Sequence, residues 1–125
     1  VDGSILTNEE SAEDIWQNVA RGNILDQGIA KITNIGNRTV NIYGATLAYV
    51  TCNTLIIKLT LQQYDGGWVN YGTYGDTATN ASSMSRSYNV KVAGGHYYRV
   101  KAACVAKKNG SSESQGPITN GIWID

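Results

Sequence analysis

The chain offers few residues that could catalyse a reaction. His96 is its one histidine, and it directly follows the Gly94-Gly95 pair. A catalytic nucleophile needs a base beside it, and no nucleophile elbow marks a serine as the partner of this histidine. We therefore interpret His96 as a surface residue at the start of a strand.

The acidic residues do not form a recognisable site either. A glycosidase needs two opposed carboxylates, and the candidates in the body of the chain are isolated from one another: Asp26, Asp65, Asp76 and Glu113. Zinc sites usually need several histidines and cysteines at close spacing, calcium sites need a dense run of oxygen ligands, and phosphate sites need a glycine motif before a helix. The sequence shows none of these patterns. It predicts a protein that is not an enzyme and that uses no metal or other cofactor.

Aromatic and cationic residues on the outward phase of the predicted strands carry the remaining chemistry. Six of them are candidate ligand-binding residues: Trp68, Tyr71, Tyr97, Arg99, Lys101 and Trp123. Aromatic rings stack on the apolar faces of sugars, and neighbouring cations and amides bind hydroxyl or acidic groups. The pattern favours a non-enzymatic binding module that recognises a glycan or a cell-wall polymer.

The same residues also suit two other interpretations. A patch of Tyr, Trp and Arg is typical of protein contacts, so the alternative is a protein-interaction or structural module, including one that self-associates. Aromatic rings paired with long cations across strands would also stabilise a sheet without binding anything. The ligand, which is a glycan or a cell-surface protein, and the oligomeric state stay open at this point.

Cys52 and Cys104 are the only cysteines, and each is in phase with the apolar positions of a predicted strand. Both sulfurs are therefore expected in one core. We predict a disulfide between them that joins two sheets, and hence a secreted, extracellular protein, because disulfides persist in oxidising compartments. The alternative is a pair of buried free thiols in a cytosolic protein.

The 125 residues carry no net formal charge, which argues against a nucleic-acid partner, because duplex binding needs a basic field. The charge is unevenly distributed, since residues 1–26 hold most of the acidic side chains with Arg21 as their only cation. Such a segment either covers a basic face or only improves solubility. The apolar runs are too short to cross a bilayer, so no membrane insertion is expected.

Residues 1–22 are predicted to form an acidic N-terminal segment with one short helix over 7–20. Thr7 and Glu10 have the spacing of a capping box, and the acidic first turn suits the positive end of a helix dipole. A cation and a glycine at Arg21-Gly22 would end the helix. Its apolar stripe would comprise Ala12, Ile15, Trp16 and Val19.

Residues 23–125 have a hydrophobic period of two, which predicts one β-domain. The predicted strands are 23–35, 38–51, 54–64, 68–74, 84–92, 96–107 and 117–124. In the third strand, the side chains expected to face the core are Leu55, Ile57, Leu59 and Leu61, and those expected to face out are Lys58, Thr60, Gln62 and Tyr64. Asp65-Gly66-Gly67 and Gly94-Gly95 predict tight turns, and the polar residues 75–83 predict a link between sheets.

Two stretches of the chain resemble known proteins. Tyr98-Arg99-Val100-Lys101-Ala102, followed by Lys108-Asn109-Gly110-Ser111, resembles the penultimate strand and final hairpin of fibronectin type III-like sandwiches. Residues 22–125 resemble an uncharacterised family of small secreted proteins from Gram-positive bacteria, a domain of unknown function. The shared features are Arg21-Gly22, the Asp-Gly-Gly-Trp hairpin at 65–68, the Gly-His-Tyr-Tyr-Arg-Val run at 95–100 and the Thr-Asn-Gly-Ile ending at 119–122. The resemblance implies the fold and secretion, and it has no site residues to transfer.

An antibody-type immunoglobulin domain would have a tyrosine two residues before its second cysteine, where this chain has Ala102. A true immunoglobulin domain is therefore disfavoured. The expected fold is an all-β protein, with an antiparallel two-sheet sandwich of the immunoglobulin/fibronectin III-like kind behind a short N-terminal helix.

Overall fold

A computed structural model describes residues 3–18 and 24–125 of the chain. These residues form β-strands joined by turns, and they contain no helix that could span a membrane. The strands are β1 (Leu6–Thr7), β2 (Ser11–Gln17), β3 (Leu25–Gly36), β4 (Thr39–Tyr64), β5 (Trp68–Lys91), β6 (His96–Lys108), β7 (Ser111–Gln115) and β8 (Gly121–Ile124).

The long antiparallel ribbon of β4 and β5 determines the shape of the protein. The two strands pair from Thr39 opposite Lys91 to Tyr64 opposite Trp68, with a register shift between Leu47 and Cys52. At this shift the ribbon folds back, so the first half of β4 faces its second half. The hydroxyl of Thr46 donates a hydrogen bond to the carbonyl oxygen of Ile56 at 2.9 Å. A Cβ atom at Gly44 would lie 2.5 Å from Leu59 Cδ2.

Folding of the ribbon divides the sheet into two facing layers. The first layer contains β2, β3, the first half of β4 and the second half of β5. The second layer contains β1, β8, β6, the second half of β4 and the first half of β5, with β7 also paired to β6. The β1–β8 pair is parallel and the others are antiparallel. The all-β prediction is confirmed, but the layers are halves of one curled, mixed sheet that β4 and β5 run through.

The hydrophobic core lies between the two layers. The first layer contributes Ile32 and Ile42, which are fully buried. The second layer contributes the predicted inward set, all of it fully buried as expected: Leu55, Ile57, Leu59 and Leu61. At the β5 side of the core, the rings of Tyr74 and Tyr88 lie 5.3 Å apart and join the two halves of that strand. The period of two therefore located the core correctly.

The predicted N-terminal helix is wrong. Ser11–Gln17 forms β2, which pairs antiparallel with β3. Ala12 and Trp16 pack against the core from one face of this strand, and the Asp14 carboxylate accepts a hydrogen bond from the Ile118 N–H at 2.9 Å. The capping signals act only within the segment. Pairing with β3 satisfies the backbone N–H and carbonyl groups of β2 and partly buries Trp16, so the tertiary contacts outweigh the local helix signals. Val19 and the expected helix end at Arg21-Gly22 lie outside the described residues.

Several predicted strand boundaries are also corrected. The strands predicted at 38–51 and 54–64 are the single strand β4, and the predicted link at 75–83 lies inside β5. Ser111–Gln115 was not predicted as a strand but forms β7. Polar residues are compatible with these strands because β5 and β7 expose most of their side chains. The turn signals are confirmed, with positive φ angles at Gly66 and Gly95.

Candidate binding face on the second layer

The outward surface of the second layer carries most of the predicted ligand-binding residues, and we call it the binding face. Its best-defined aromatic feature is the pair of Tyr97 on β6 and Trp123 on β8. These residues are opposite each other in the ladder, and their ring centroids lie 4.9 Å apart at an angle of 65°. The Trp123 indole N–H donates to the Asp125 carboxylate at 2.8 Å. Both rings are half-buried, so the pair presents a fixed aromatic surface to solvent.

A shallow groove of about 330 Å³ lies beside Trp123, where the β3–β4 turn meets the end of β8. Its polar lining residues are Asn34, Asn37, Arg38 and Asp125. The Arg38 Nε–H donates to the Asp125 carbonyl oxygen at 3.2 Å, which ties the turn to the end of β8. The groove therefore places amides, a cation and a carboxylate next to an aromatic ring, as many sites for polar ligands do. Sequence reasoning missed Asn34, Asn37 and Arg38, because they lie in or beside the β3–β4 turn, where strand phase does not indicate a shared surface.

Arg99 is the predicted binding residue whose burial differs most from the expectation. It projects from the outward phase of β6, but it is only 3% exposed. Its Nε–H donates to Gln62 Oε1 at 2.7 Å and its Nη1–H to Ser4 Oγ at 2.9 Å. The Trp68 ring covers its guanidinium at 4.4 Å, and Gln62, predicted to be exposed, is buried with it. This arrangement makes Arg99 part of a small second core on the binding face.

Trp68 closes that second core from above. Its ring reaches β8, where a Cβ atom at Gly121 would lie 2.7 Å from Trp68 Cη2. The Tyr64 ring packs edge-on against it at 5.2 Å. Only a glycine on β8 leaves room for the indole in this position. Trp68 is half-buried, and its contacts show that it holds the β4–β5 hairpin against the binding face.

Tyr71 does not lie with the other candidates. Its ring packs edge-on against Tyr98 at 5.5 Å, and its hydroxyl oxygen accepts a hydrogen bond from the Ala93 N–H at 3.2 Å. Tyr98 is on the inward phase of β6, opposite in phase to Tyr97. The reason is a register shift, because Leu61 pairs with Gly72 but Gln62 pairs with Asn70. Tyr71 is the extra residue at this bulge, and its side chain is turned away from the binding face.

Three lysines extend the binding face away from the aromatic pair. Lys101 lies opposite Thr60, Lys58 lies opposite Ala103, and Lys107 lies opposite Thr54. Lys58 and Lys107 are exposed, and Lys101 is half-buried. The structure thus confirms an outward position for Lys101 and groups it with two further cations.

Two of the carboxylates considered for chemistry, those of Asp76 and Glu113, have structural partners. The Arg86 Nε–H donates to the Asp76 carboxylate at 2.8 Å. This hydrogen bond, assisted by one from the Thr77 N–H, lowers the pKa of Asp76. The Glu113 carboxylate accepts hydrogen bonds from the N–H groups of Ile24 and Leu25 at 3.0 and 2.7 Å, which fixes the start of β3. Among the described residues no three acidic, histidine or cysteine side chains converge as metal ligands would.

The predicted disulfide is absent, because Cys52 and Cys104 are both free and buried. Cys104 lies opposite Ile57 in the β4–β6 ladder, and Cys52 is about 16 Å further along β4 at the usual rise per residue. A disulfide needs Cα atoms within about 7 Å, so the two cannot be joined without breaking the ladder. The alignment of both cysteines with the core was correct, but the phase of a strand does not fix the position along it. The argument for an oxidising compartment therefore loses its support.

Buried free thiols predict a loss of stability in alkali. Burial raises the pKa of the Cys104 thiol, and burial also raises the pKa of Tyr98. A group whose pKa is higher in the folded than in the unfolded state stabilises the fold at pH values below its pKa in the unfolded state. This stabilisation is lost as the pH rises through the pKa of the folded state. We expect the free energy of unfolding in urea to fall between about pH 8 and pH 10, with a smaller fall in Cys104→Ala. Thiol labelling of the denatured, unreduced protein checks that both cysteines are free. If no thiol reacts, the premise of free thiols is wrong.

The fold and its surface define an all-β protein with an aromatic and cationic face. Residues 4–122 match a family described as a family of unknown function, DUF6147. The match covers most of the chain, so the protein belongs to this family. The predicted membership in an uncharacterised family is thereby confirmed. No curated protein matches the chain.

Proposed function

We propose that this protein is a non-enzymatic binding module that recognises a glycan or a cell-wall polymer through the binding face. The observation that carries the proposal is the Tyr97–Trp123 pair, held half-exposed beside the groove of about 330 Å³. An aromatic surface buries the apolar face of a sugar ring at little entropic cost, because both rings are already fixed.

The polar groups beside Trp123 suit the hydroxyl groups of a sugar. Asn34 and Asn37 offer amide donors and acceptors, and Arg38 offers donors. Positive φ angles at Asn37 and Arg38 hold the turn in a tight conformation. Such a rigid turn would orient these side chains without the entropic cost of ordering a loop on binding.

Secretion, an origin in a Gram-positive bacterium and kinship with fibronectin III-like domains belong to the same proposal. They rest on the resemblance of residues 22–125 to small secreted proteins and on the β6–β7 hairpin, and no longer on a disulfide. A surface that binds a wall polymer would be useful only outside the cell membrane, which makes these proposals consistent with one another.

The proposal is tested by screening the folded protein on an array of glycans and wall polymers. Trp123→Ala is expected to weaken binding to a hit by about 10-fold or more, since central aromatic residues dominate most interfaces. Tyr49→Ala is the matched control, because Tyr49 is an exposed aromatic residue, 43% accessible, that contacts Asn18 in the first-layer region. An array without hits, or equal losses in the two variants, would refute the proposal.

A second candidate function is self-association through the edge of β5. This strand has 24 residues, and β4 is the one described strand that pairs with it. Long free edges can pair with another chain. If they do so here, Thr79→Lys should shift a sedimenting dimer toward monomer, whereas Thr54→Lys, one strand further in and opposite Thr79, should not. A monomer at every concentration would exclude this candidate.

A further inference from the structure

We infer that the polymer recognised by the binding face is anionic and that the lysines of the second layer bind it along its length. The inference rests on the proposed function and adds the chemical class of the ligand. It assigns a binding role to Lys58 and Lys107 in addition to Lys101, because these three residues form a cationic track. We call them the lysine track.

The geometry of the lysine track fits an extended ligand. Lys101 and Lys107 are on the same phase of β6, which separates them by about 20 Å along the strand. Lys58 on β4 lies opposite Ala103, between these two positions, and is a diagonal neighbour of Lys101 at about 7–8 Å. No single phosphate or carboxylate spans this distance. A polymer whose anionic groups recur along its length can contact all three cations at once.

The central position of the lysine track argues against a role in protecting a sheet edge. Natural proteins place lysines on edge strands to block aggregation. Here β4 and β6 are interior strands of the second layer, each with a described neighbour on both sides. Each of the three lysines lies opposite an uncharged residue, so cross-strand ion pairs do not account for their positions either.

Three acidic residues of the body are engaged by groups other than the lysine track. Asp76 pairs with Arg86, the Glu113 carboxylate is used by the backbone of β3, and Asp125 is beside Trp123. The positions next to the track on β5 and β7 are polar and uncharged: Thr73, Thr77, Thr79, Ser112 and Ser114. Among the described residues, none of the three lysines forms an ion pair. Their charge is thus available to a ligand, and the hydroxyls beside them can donate to its oxygens.

Residues 11–17 of the acidic N-terminal segment do not shield the lysine track. Glu13 on β2 lies opposite Lys31 on β3, which places it on the outward surface of the first layer. Asp14 points to the other side of β2 and accepts the Ile118 N–H. The sequence left two interpretations of the acidic segment open, a cover for a basic face or an aid to solubility. Residues 11–17 do not cover the basic face.

The ligand class that fits both features is an acidic glycan or polyol polymer. Its sugar or polyol units would contact the Tyr97–Trp123 end of the binding face, and its recurring anions would lie along the lysine track. Carboxylate and phosphate groups both satisfy an ammonium group, which is a compact point charge without a fixed geometry. The chemistry thus selects for repeated negative charge and not for one anion.

The test measures binding of the folded protein to polygalacturonate, to a glycerol phosphate polymer and to neutral dextran of similar length. We expect affinity for one or both anionic polymers to fall about 20-fold between 50 and 200 mM salt, as three neutralised anions would give. Each of Lys58→Ala, Lys101→Ala and Lys107→Ala is expected to weaken binding about fivefold. Lys31→Ala removes an equivalent charge on the outward surface of the first layer and should change affinity less than twofold.

The outcomes separate this inference from the proposed function. Binding to dextran that depends on Trp123 but not on the lysines would overturn the anionic class and leave the glycan-binding proposal intact. No binding to any of the three polymers, together with an array without hits, would overturn both. Equal affinity for a single-stranded DNA of matched charge would also overturn the assignment, because it would show attraction without recognition of sugar or polyol units.

Discussion

Replacing Leu59 with alanine is expected to lower the free energy of unfolding by about 3–4 kcal/mol, the upper part of the usual range for leucine truncation in a core. Leu59 is fully buried on the second half of β4, and its Cδ2 atom fills the space above Gly44 on the first half of the same strand. Urea unfolding measures the change. The neighbouring Lys58→Ala, at an exposed position, should change stability by less than about 0.5 kcal/mol.

Gly44 gives this prediction a sharper form. Gly44→Val alone should destabilise the protein by about 1–3 kcal/mol, because its side chain would collide with Leu59. In the double variant the valine occupies the space that Leu59→Ala leaves. The double variant should therefore be more stable than the sum of the single changes predicts, by about 1 kcal/mol or more. Additive losses would show that the two halves of β4 do not face each other.

Arg99→Ala is expected to lower the free energy of unfolding by about 2–4 kcal/mol, as the loss of a buried, hydrogen-bonded charged group usually does. The change removes the cation beneath Trp68 and leaves the Gln62 carboxamide oxygen buried without its donor. Urea unfolding is again the measurement, followed by the fluorescence of the tryptophans, whose environment at Trp68 should become more polar.

Lys101→Ala is the matched control for Arg99→Ala. It removes a cation two residues further along the same face of β6, at a half-buried position, and should cost less than about 0.5 kcal/mol. For polymer binding we expect the reverse order. Lys101→Ala should weaken binding more than Arg99→Ala does, because Lys101 belongs to the lysine track. An Arg99→Ala protein with unchanged stability but lost polymer binding would show that Arg99 contacts the ligand.

The apolar positions of the alternating pattern, which were expected to face the core, were predicted correctly for a physical reason. An alternation such as Leu55, Ile57, Leu59 and Leu61 can bury its apolar side chains in only one phase, and burial dominates the energy of folding. The same alternation does not reveal where a strand bends, so the sequence suggested two strands where β4 is continuous. It also does not reveal that β4 and β5 run from one layer into the other, which is why two separate sheets were expected.

The predicted helix illustrates a different limit. Thr7 and Glu10 have capping-box spacing, and these signals are real in an isolated peptide. They contribute less than the pairing of β2 with β3 and the packing of Trp16 on the core. Contacts between residues far apart in sequence cannot be read from a local pattern, and here they decide the outcome.

The candidate site was predictable in part. Tyr97, Lys101 and Trp123 were placed correctly on one face, because they lie on regular stretches of strand. Tyr71 was misplaced by the bulge between Leu61 and Gln62, which changes the phase of every residue beyond it. Arg99 has the expected phase but is covered by Trp68 and by Ser4 from the N-terminal segment. Such covering depends on tertiary structure and leaves no local trace in the sequence.

The most direct test of the binding face is a titration of ¹⁵N-labelled protein with polygalacturonate or the glycerol phosphate polymer, followed by amide chemical shifts. We expect shifts concentrated on residues 54–62 of β4, residues 97–107 of β6 and the region around Trp123. Saturable shifts there, reduced in Trp123→Ala, would establish the binding face. Amides that do not move, or shifts confined to β5 or to the outer surface of the first layer, would contradict it.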